Sequence, residues 1–128
     1  MNADQLEYSA EVRQRFERAP RHGRVLAAAS ERRVGVAGNI AHGARVEFEA
    51  RVRHGKVLEC RFRAYGCPHV IAAASWVAEH ADGRRTAELD WVDPRELARR
   101  LEAPAHKLGS LLVVEDAYRA CMGAGAEA

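Results

Sequence analysis

The stretch Leu58-Glu59-Cys60-Arg61-Phe62-Arg63-Ala64-Tyr65-Gly66-Cys67-Pro68-His69 changes period part-way along. Up to Tyr65, Leu58, Cys60, Phe62 and Ala64 alternate with Glu59, Arg61 and Arg63, the pattern of a strand with one face on a core. Beyond Gly66 the apolar residues Val70, Ile71, Ala74, Val77, Ala78 and Ala81 recur at helical spacing and leave only a narrow polar face. Pro68 suits the first helical position, where its missing N–H would be unpaired in any case. A strand thus hands over to a central packed helix with Cys67 at the corner, and Asp82-Gly83 closes that helix.

Working outward, Val46, Phe48, Ala50 and Val52 alternate with Arg45, Glu47, Glu49, Arg51 and Arg53. This predicts a second half-buried strand with its polar face to water, and it reads Glu47 and Glu49 as solvated rather than as a catalytic carboxylate pair. His54-Gly55 makes the tight turn of an antiparallel hairpin, with His54 exposed. Cys60, between Leu58 and Phe62, is core filling. Val34-Gly35-Val36-Ala37-Gly38 reads as a short third strand leading into the loop Gly38-Asn39-Ile40-Ala41-His42-Gly43.

Helices flank these strands. Ser9 caps a helix from about Ala10 to Arg18, with Val12 and Phe16 on one face and Pro20 ending it. Asp93-Pro94-Arg95-Glu96 supplies a cap, a first-turn proline and a reciprocal glutamate ahead of Leu97 and Leu101. Pro104 opens the last helix, where Leu108, Leu111, Leu112, Val114, Tyr118 and Cys121 share a broad side. The predicted fold class is α+β, a small three-stranded antiparallel sheet with helices packed on it. Residues 1–122 are expected to form one domain and 123–128 a disordered tail.

Composition bounds the function. A chain of 128 residues with 48% hydrophobic content suffices for one domain with its own core. No run of about 18 apolar residues is present, so no membrane-spanning helix is expected. The first residues have neither the basic patch nor the apolar centre of a signal peptide. Three cysteines, an odd number, then point to reduced thiols in the cytoplasm, and the lack of Cys-x-x-Cys spacing excludes a zinc ribbon. A net charge of +2 with interspersed signs lacks the basic stripe of a nucleic-acid binder, so neither nucleic acid nor membrane is expected as partner. Gly35-x-x-Gly38 has no following lysine and Ser/Thr and is not a phosphate loop.

Cys67 is the residue with chemistry to explain. A thiol near the first turn of a helix meets unpaired N–H groups and partial positive charge, which favour the thiolate and so metal binding or sulfur carriage. Position alone leaves open a third role as a small buried hydrophobe.

Four stretches together carry a resemblance. Tyr8-Ser9, Val36-Ala37-Gly38-Asn39, Phe62-Arg63-Ala64-Tyr65-Gly66-Cys67 entering Ile71-Ala72-Ala73-Ala74-Ser75, and Lys107 through Glu115-Asp116-Ala117 resemble the IscU/NifU N-terminal family of iron–sulfur cluster assembly scaffolds. The resemblance implies a SufE/NifU-type fold and a scaffold, not a turnover enzyme, on which iron and sulfide meet. It also implies a cysteine desulfurase as sulfur donor, and three cysteines converging at one end of the molecule.

Position by position, the implied ligand set is altered. Where the family has Asn-Pro-x-Cys-Gly-Asp, this chain reads Asn39-Ile40-Ala41-His42-Gly43-Ala44, with His42 at the cysteine position and Ala44 at the aspartate position. Cys67 matches the second cysteine. In place of Lys-x-His-Cys-Ser stands Lys107-Leu108-Gly109-Ser110-Leu111, so Ser110 holds the third cysteine position as a poor ligand. The Leu-Pro-Pro-Val-Lys motif that docks an Hsp70-type chaperone is reduced to Ala103-Pro104-Ala105-His106-Lys107.

A replacement set of His42, Cys67 and one of His69 or His106 is expected to hold iron, a two-iron iron–sulfur cluster or zinc. Two alternatives stand beside it. One is a degenerate paralogue that binds a cysteine desulfurase without cluster chemistry; the other is a single-thiol persulfide acceptor using Cys67, akin to zinc-dependent sulfurtransferase relatives of similar fold.

Overall fold

The two alternating runs do pair. In the computed structural model, which describes residues 8–123, strands β1 (Arg32–Asn39), β2 (Ala44–Arg53) and β3 (Lys56–Tyr65) form an antiparallel sheet in the order β1-β2-β3. His54 and Gly55, both at positive φ (52° and 73°), form the two-residue turn between β2 and β3. Helices α1 (Ala10–Arg18), α2 (Pro68–His80), α3 (Pro94–Leu101) and α4 (Leu108–Gly123) are accompanied by two short 3-10 turns, Ile40–His42 and Ala105–Lys107.

Val46, Phe48, Ala50 and Val52 of β2, with Cys60 and Phe62 of β3, point into the core beneath α2 and α4. Helix α4 lies along β1 and β2, α2 lies along β3, α1 packs on α2, and α3 leans on α4. The result is the α+β arrangement expected, one layer of sheet and one of helices. Close approach of α4 to β1 depends on Gly35, where an added Cβ would sit 2.0 Å from the Cys121 backbone nitrogen.

Local chemistry sets the helix ends. Ser9 caps α1 by accepting from the Val12 N–H (3.2 Å), and Asp93 caps α3 by accepting from the Arg95 N–H (2.9 Å). Glu96 does not return the favour to its cap; it pairs with Arg99 at 2.7 Å.

Five expectations need correction. The centre of the polar face of β2 is not open to water: Glu47 and Glu49 are 7% and 1% exposed, while Arg53 at the strand's end is exposed. Residues 21–31 run from the β3 edge, where the Gly23 N–H donates to the Phe62 carbonyl, back to the start of β1. On the way the Val25 N–H donates to Glu49, and Arg24, Arg32 and Arg63 stand around that carboxylate. Leu58 is exposed while Val57 is fully buried, because a bulge pairs Val52 with Val57 and Arg51 with Glu59, shifting the alternation by one residue. On α1, Val12 is buried but Phe16 is 47% exposed. Leu112 of α4 faces outward, Leu108 is half-buried, and Pro104 begins a 3-10 turn (Ala105–Lys107) rather than the helix itself. Gly123, expected in the tail, ends α4; residues 124–128 lie outside the described chain.

Candidate functional site

The strand register brings the family's ligand positions to one end of the sheet. Asn39, the last residue of β1, pairs with Ala44, and Arg45 pairs with Gly38 on one side and Tyr65 on the other. The loop 40–43 and the Gly66-Cys67 corner therefore leave the sheet on either side of the start of β2. Gly38, at φ 77°, lies against Ala44 and Val113, so α4 joins this end one turn beyond Ser110.

Cys67 occupies the N-cap of α2 (φ −71°, ψ 168°), with Pro68 next. Its carbonyl accepts from the Val70 and Ile71 N–H groups (3.0 and 3.2 Å), whereas its side chain makes no capping bond. Cys67 is half-buried and packs against the edge of the core. The other two cysteines are fully buried: burial pushes the Cys60 thiol well up, and pushes Cys121 up to about 12. Cys67 is thus the one cysteine that a reagent or partner can reach.

His42 ends a one-turn 3-10 helix (Ile40–His42) capped by Asn39. The His42 N–H donates to Asn39 Oδ1 at 2.9 Å, and Asn39 Nδ2 stands 3.1 Å from His42 Nδ1. The imidazole is exposed; Ser110 is half-buried in the first turn of α4; Ala44 is buried and supplies only a methyl group. Asn39 has no role in the sequence reading beyond the resemblance, although its place three residues before His42 is the spacing of a capping side chain.

His69 and His106 are drawn elsewhere. His69 is 1% exposed, and its ring lies 4.9 Å from that of Tyr8. With His106, Glu102, Pro104 and Lys107 these two residues line a cavity of about 390 Å³ whose lining includes neither Cys67 nor His42. Among the described residues no three of His, Cys, Asp and Glu stand close enough to hold a metal ion. One thiol, one imidazole with Nδ1 already engaged and one hydroxyl do not fit a resident metal centre built from this chain's own described donors.

Residues 7–124 match the family described as the NifU-like N terminal domain. This chain belongs to that family. It is 30% identical over 89 residues to the iron-sulfur cluster assembly scaffold protein IscU of Escherichia coli, covering 69% of this chain and 70% of that one. Iron sulfur cluster assembly protein 1 of Trachipleistophora hominis is 25% identical over 115 residues, 90% of this chain and 83% of its own. The bifunctional protein NifU/MnmA of Rubrobacter xylanophilus is 38% identical over 91 residues, 68% of this chain but 19% of that longer protein. The fold is shared with the N-terminal NifU-like protein of Brucella abortus, at TM-score 0.67 and 20% identity over 89% of this chain and 90% of that one. It is also shared with a protein of Fervidobacterium islandicum named for a scaffold role in the SUF system, at TM-score 0.61 and 19% identity over 94% of this chain and 88% of that one.

Proposed function

We propose that this protein is a scaffold-type component of iron–sulfur cluster assembly, not a turnover enzyme, and that it takes its cargo on Cys67. The observation that carries the reading is the contrast among the three thiols: two sealed in the core, and one at a helix start on the edge of the core. Family membership and the names of the relatives support iron–sulfur cargo; the form we assign to it is iron or a two-iron cluster, with zinc as the competing occupant. The described donors give Cys67 too little company to hold such cargo alone. Further ligands then come from the partner on which the cluster is built or to which it passes.

That partner is a cysteine desulfurase, working in the cytoplasm where thiols stay reduced. The exposed Pro104–His106 turn is the segment an Hsp70-type chaperone would engage, weakly, given its altered sequence.

A second reading is favoured by the single reachable thiol: Cys67 receives sulfur before any iron is present. The Cys67 thiolate attacks the terminal sulfur of the desulfurase persulfide; a new S–S bond forms at Cys67 as the old one breaks, and the desulfurase cysteine leaves as thiolate, with no net oxidation.

The test is peptide mapping by mass spectrometry after incubation with a cysteine desulfurase and cysteine. Extra sulfur on the Cys67 peptide supports the reading. Sulfur on the Cys60 or Cys121 peptide counts against Cys67 as the acceptor, and desulfurase binding without sulfur transfer leaves the cargo-free paralogue as the better description.

A further inference from the structure

The geometry points to Asn39 as the residue that decides what His42 can bind: it holds the imidazole as the Nε2–H tautomer, so the loop offers a hydrogen-bond donor to a thiolate or persulfide anion and withholds a lone pair from metal. The backbone N–H of His42 can only donate, so the Asn39 atom 2.9 Å from it must be the carbonyl oxygen. That contact fixes the amide's orientation, which is otherwise ambiguous for asparagine. Nδ2 is then the atom 3.1 Å from His42 Nδ1. An amide NH₂ has hydrogens to give and no lone pair to receive with, so Nδ1 accepts and the one proton of the neutral ring lies on Nε2.

A metal-binding histidine has the opposite polarity. It ligates through one nitrogen while the other donates its N–H to a carboxylate or carbonyl, which fixes the tautomer and raises the basicity of the ligand. For His42 to ligate through Nε2, the proton would have to move to Nδ1, setting two N–H groups against each other across the Asn39 contact. To ligate through Nδ1, the ring would have to give up Asn39. A histidine at the family's cysteine position is therefore arranged as a hydrogen-bond donor through Nε2, and the anion we assign to it is the sulfur of Cys67, which leaves the same end of the sheet. The choice of anion rests on the reading of Cys67 as the cargo thiol; the tautomer does not.

Asn39→Asp reverses the polarity with little change of shape. Asp caps as well as Asn, and one oxygen still receives the His42 N–H. The second oxygen accepts from Nδ1–H and frees the Nε2 lone pair. In the native protein, long-range proton–nitrogen NMR correlations should show His42 with Nε2 protonated and Nδ1 bare; in Asn39→Asp the two should exchange. Zinc affinity should rise about tenfold or more in Asn39→Asp, the size of an outer-shell effect, and the gain should vanish when His42→Ala is added. Zinc affinity of the native protein should not change on His42→Ala. A native His42 with Nδ1 protonated, or native zinc binding that His42→Ala abolishes, would overturn the inference. For the anion, sulfur transfer to Cys67 should slow in both His42→Ala and Asn39→Asp; equal rates in all three proteins would overturn that part while the NMR result stands by itself.

Discussion

Gly35 of β1 and Cys121 of α4 touch backbone to backbone: a Cβ on Gly35 would lie 2.0 Å from the Cys121 nitrogen and 2.6 Å from the Ala117 carbonyl oxygen. Neither neighbour is a flexible side chain that could move aside. Gly35→Ala must lift α4 off the sheet, and since α4 also carries the Ser110 side of the site, the effect reaches the Cys67 end. The expected loss is about 3 kcal/mol or more in urea unfolding. A variant as stable as the native protein would contradict this packing.

The bulge in β3 gives a paired prediction. Val57→Ala removes a fully buried side chain and should cost about 1–3 kcal/mol, whereas Leu58→Ala, at a residue 37% exposed, should cost about 1 kcal/mol or less. Unfolding curves for the two variants decide it; the opposite ranking would restore the uninterrupted alternation.

How far the fold was legible in the sequence follows from residues like these. Alternation in 45–53 and 56–65 and the period change at Gly66 mark the hairpin and α2, because one face of each element meets a core. Leu58 misleads because a bulge leaves no mark in an alternating pattern. Glu49 misleads because the segment over it, residues 21–31, has no periodicity of its own and is placed by single contacts such as Val25 to Glu49, while Glu47 is paired within the sheet by Arg45 and Arg63, which alternation does not reveal. The site is legible to the extent that Cys67 stands at a strand-to-helix corner. That His69 turns inward toward Tyr8 while His42 is held by Asn39 depends on tertiary packing and hydrogen-bond polarity, which residue spacing does not encode.

Glu49 should make stability depend on pH. Burial by itself would raise its carboxyl; the hydrogen bond and charge of Arg32, the Val25 N–H and the charge of Arg24 outweigh burial and hold it below its ordinary value of 4.5. A lowered native value means that the unfolded chain takes up the proton first. The contribution is therefore present above about pH 4.5 and lost as the pH falls through the native value. Glu49→Gln should cost about 1–3 kcal/mol near neutral pH and flatten the acid limb of the stability curve. An unchanged acid limb would show that the carboxylate and its arginines contribute nothing net.

Thiol accessibility gives the simplest chemical prediction. In the folded protein a thiol-specific reagent should modify Cys67 alone, and all three cysteines should react once the chain is unfolded. Rapid labelling of Cys60 or Cys121 in the folded state would mean that the core opens far more readily than its burial implies.

Iron and acid-labile sulfide content after anaerobic reconstitution with ferrous iron, a cysteine desulfurase and cysteine bears most directly on Cys67 as the cargo thiol. The native protein and Cys60→Ala should take up iron and sulfide with the absorption of a cluster, and Cys67→Ala should take up neither. Equal uptake by Cys67→Ala and the native protein would contradict it.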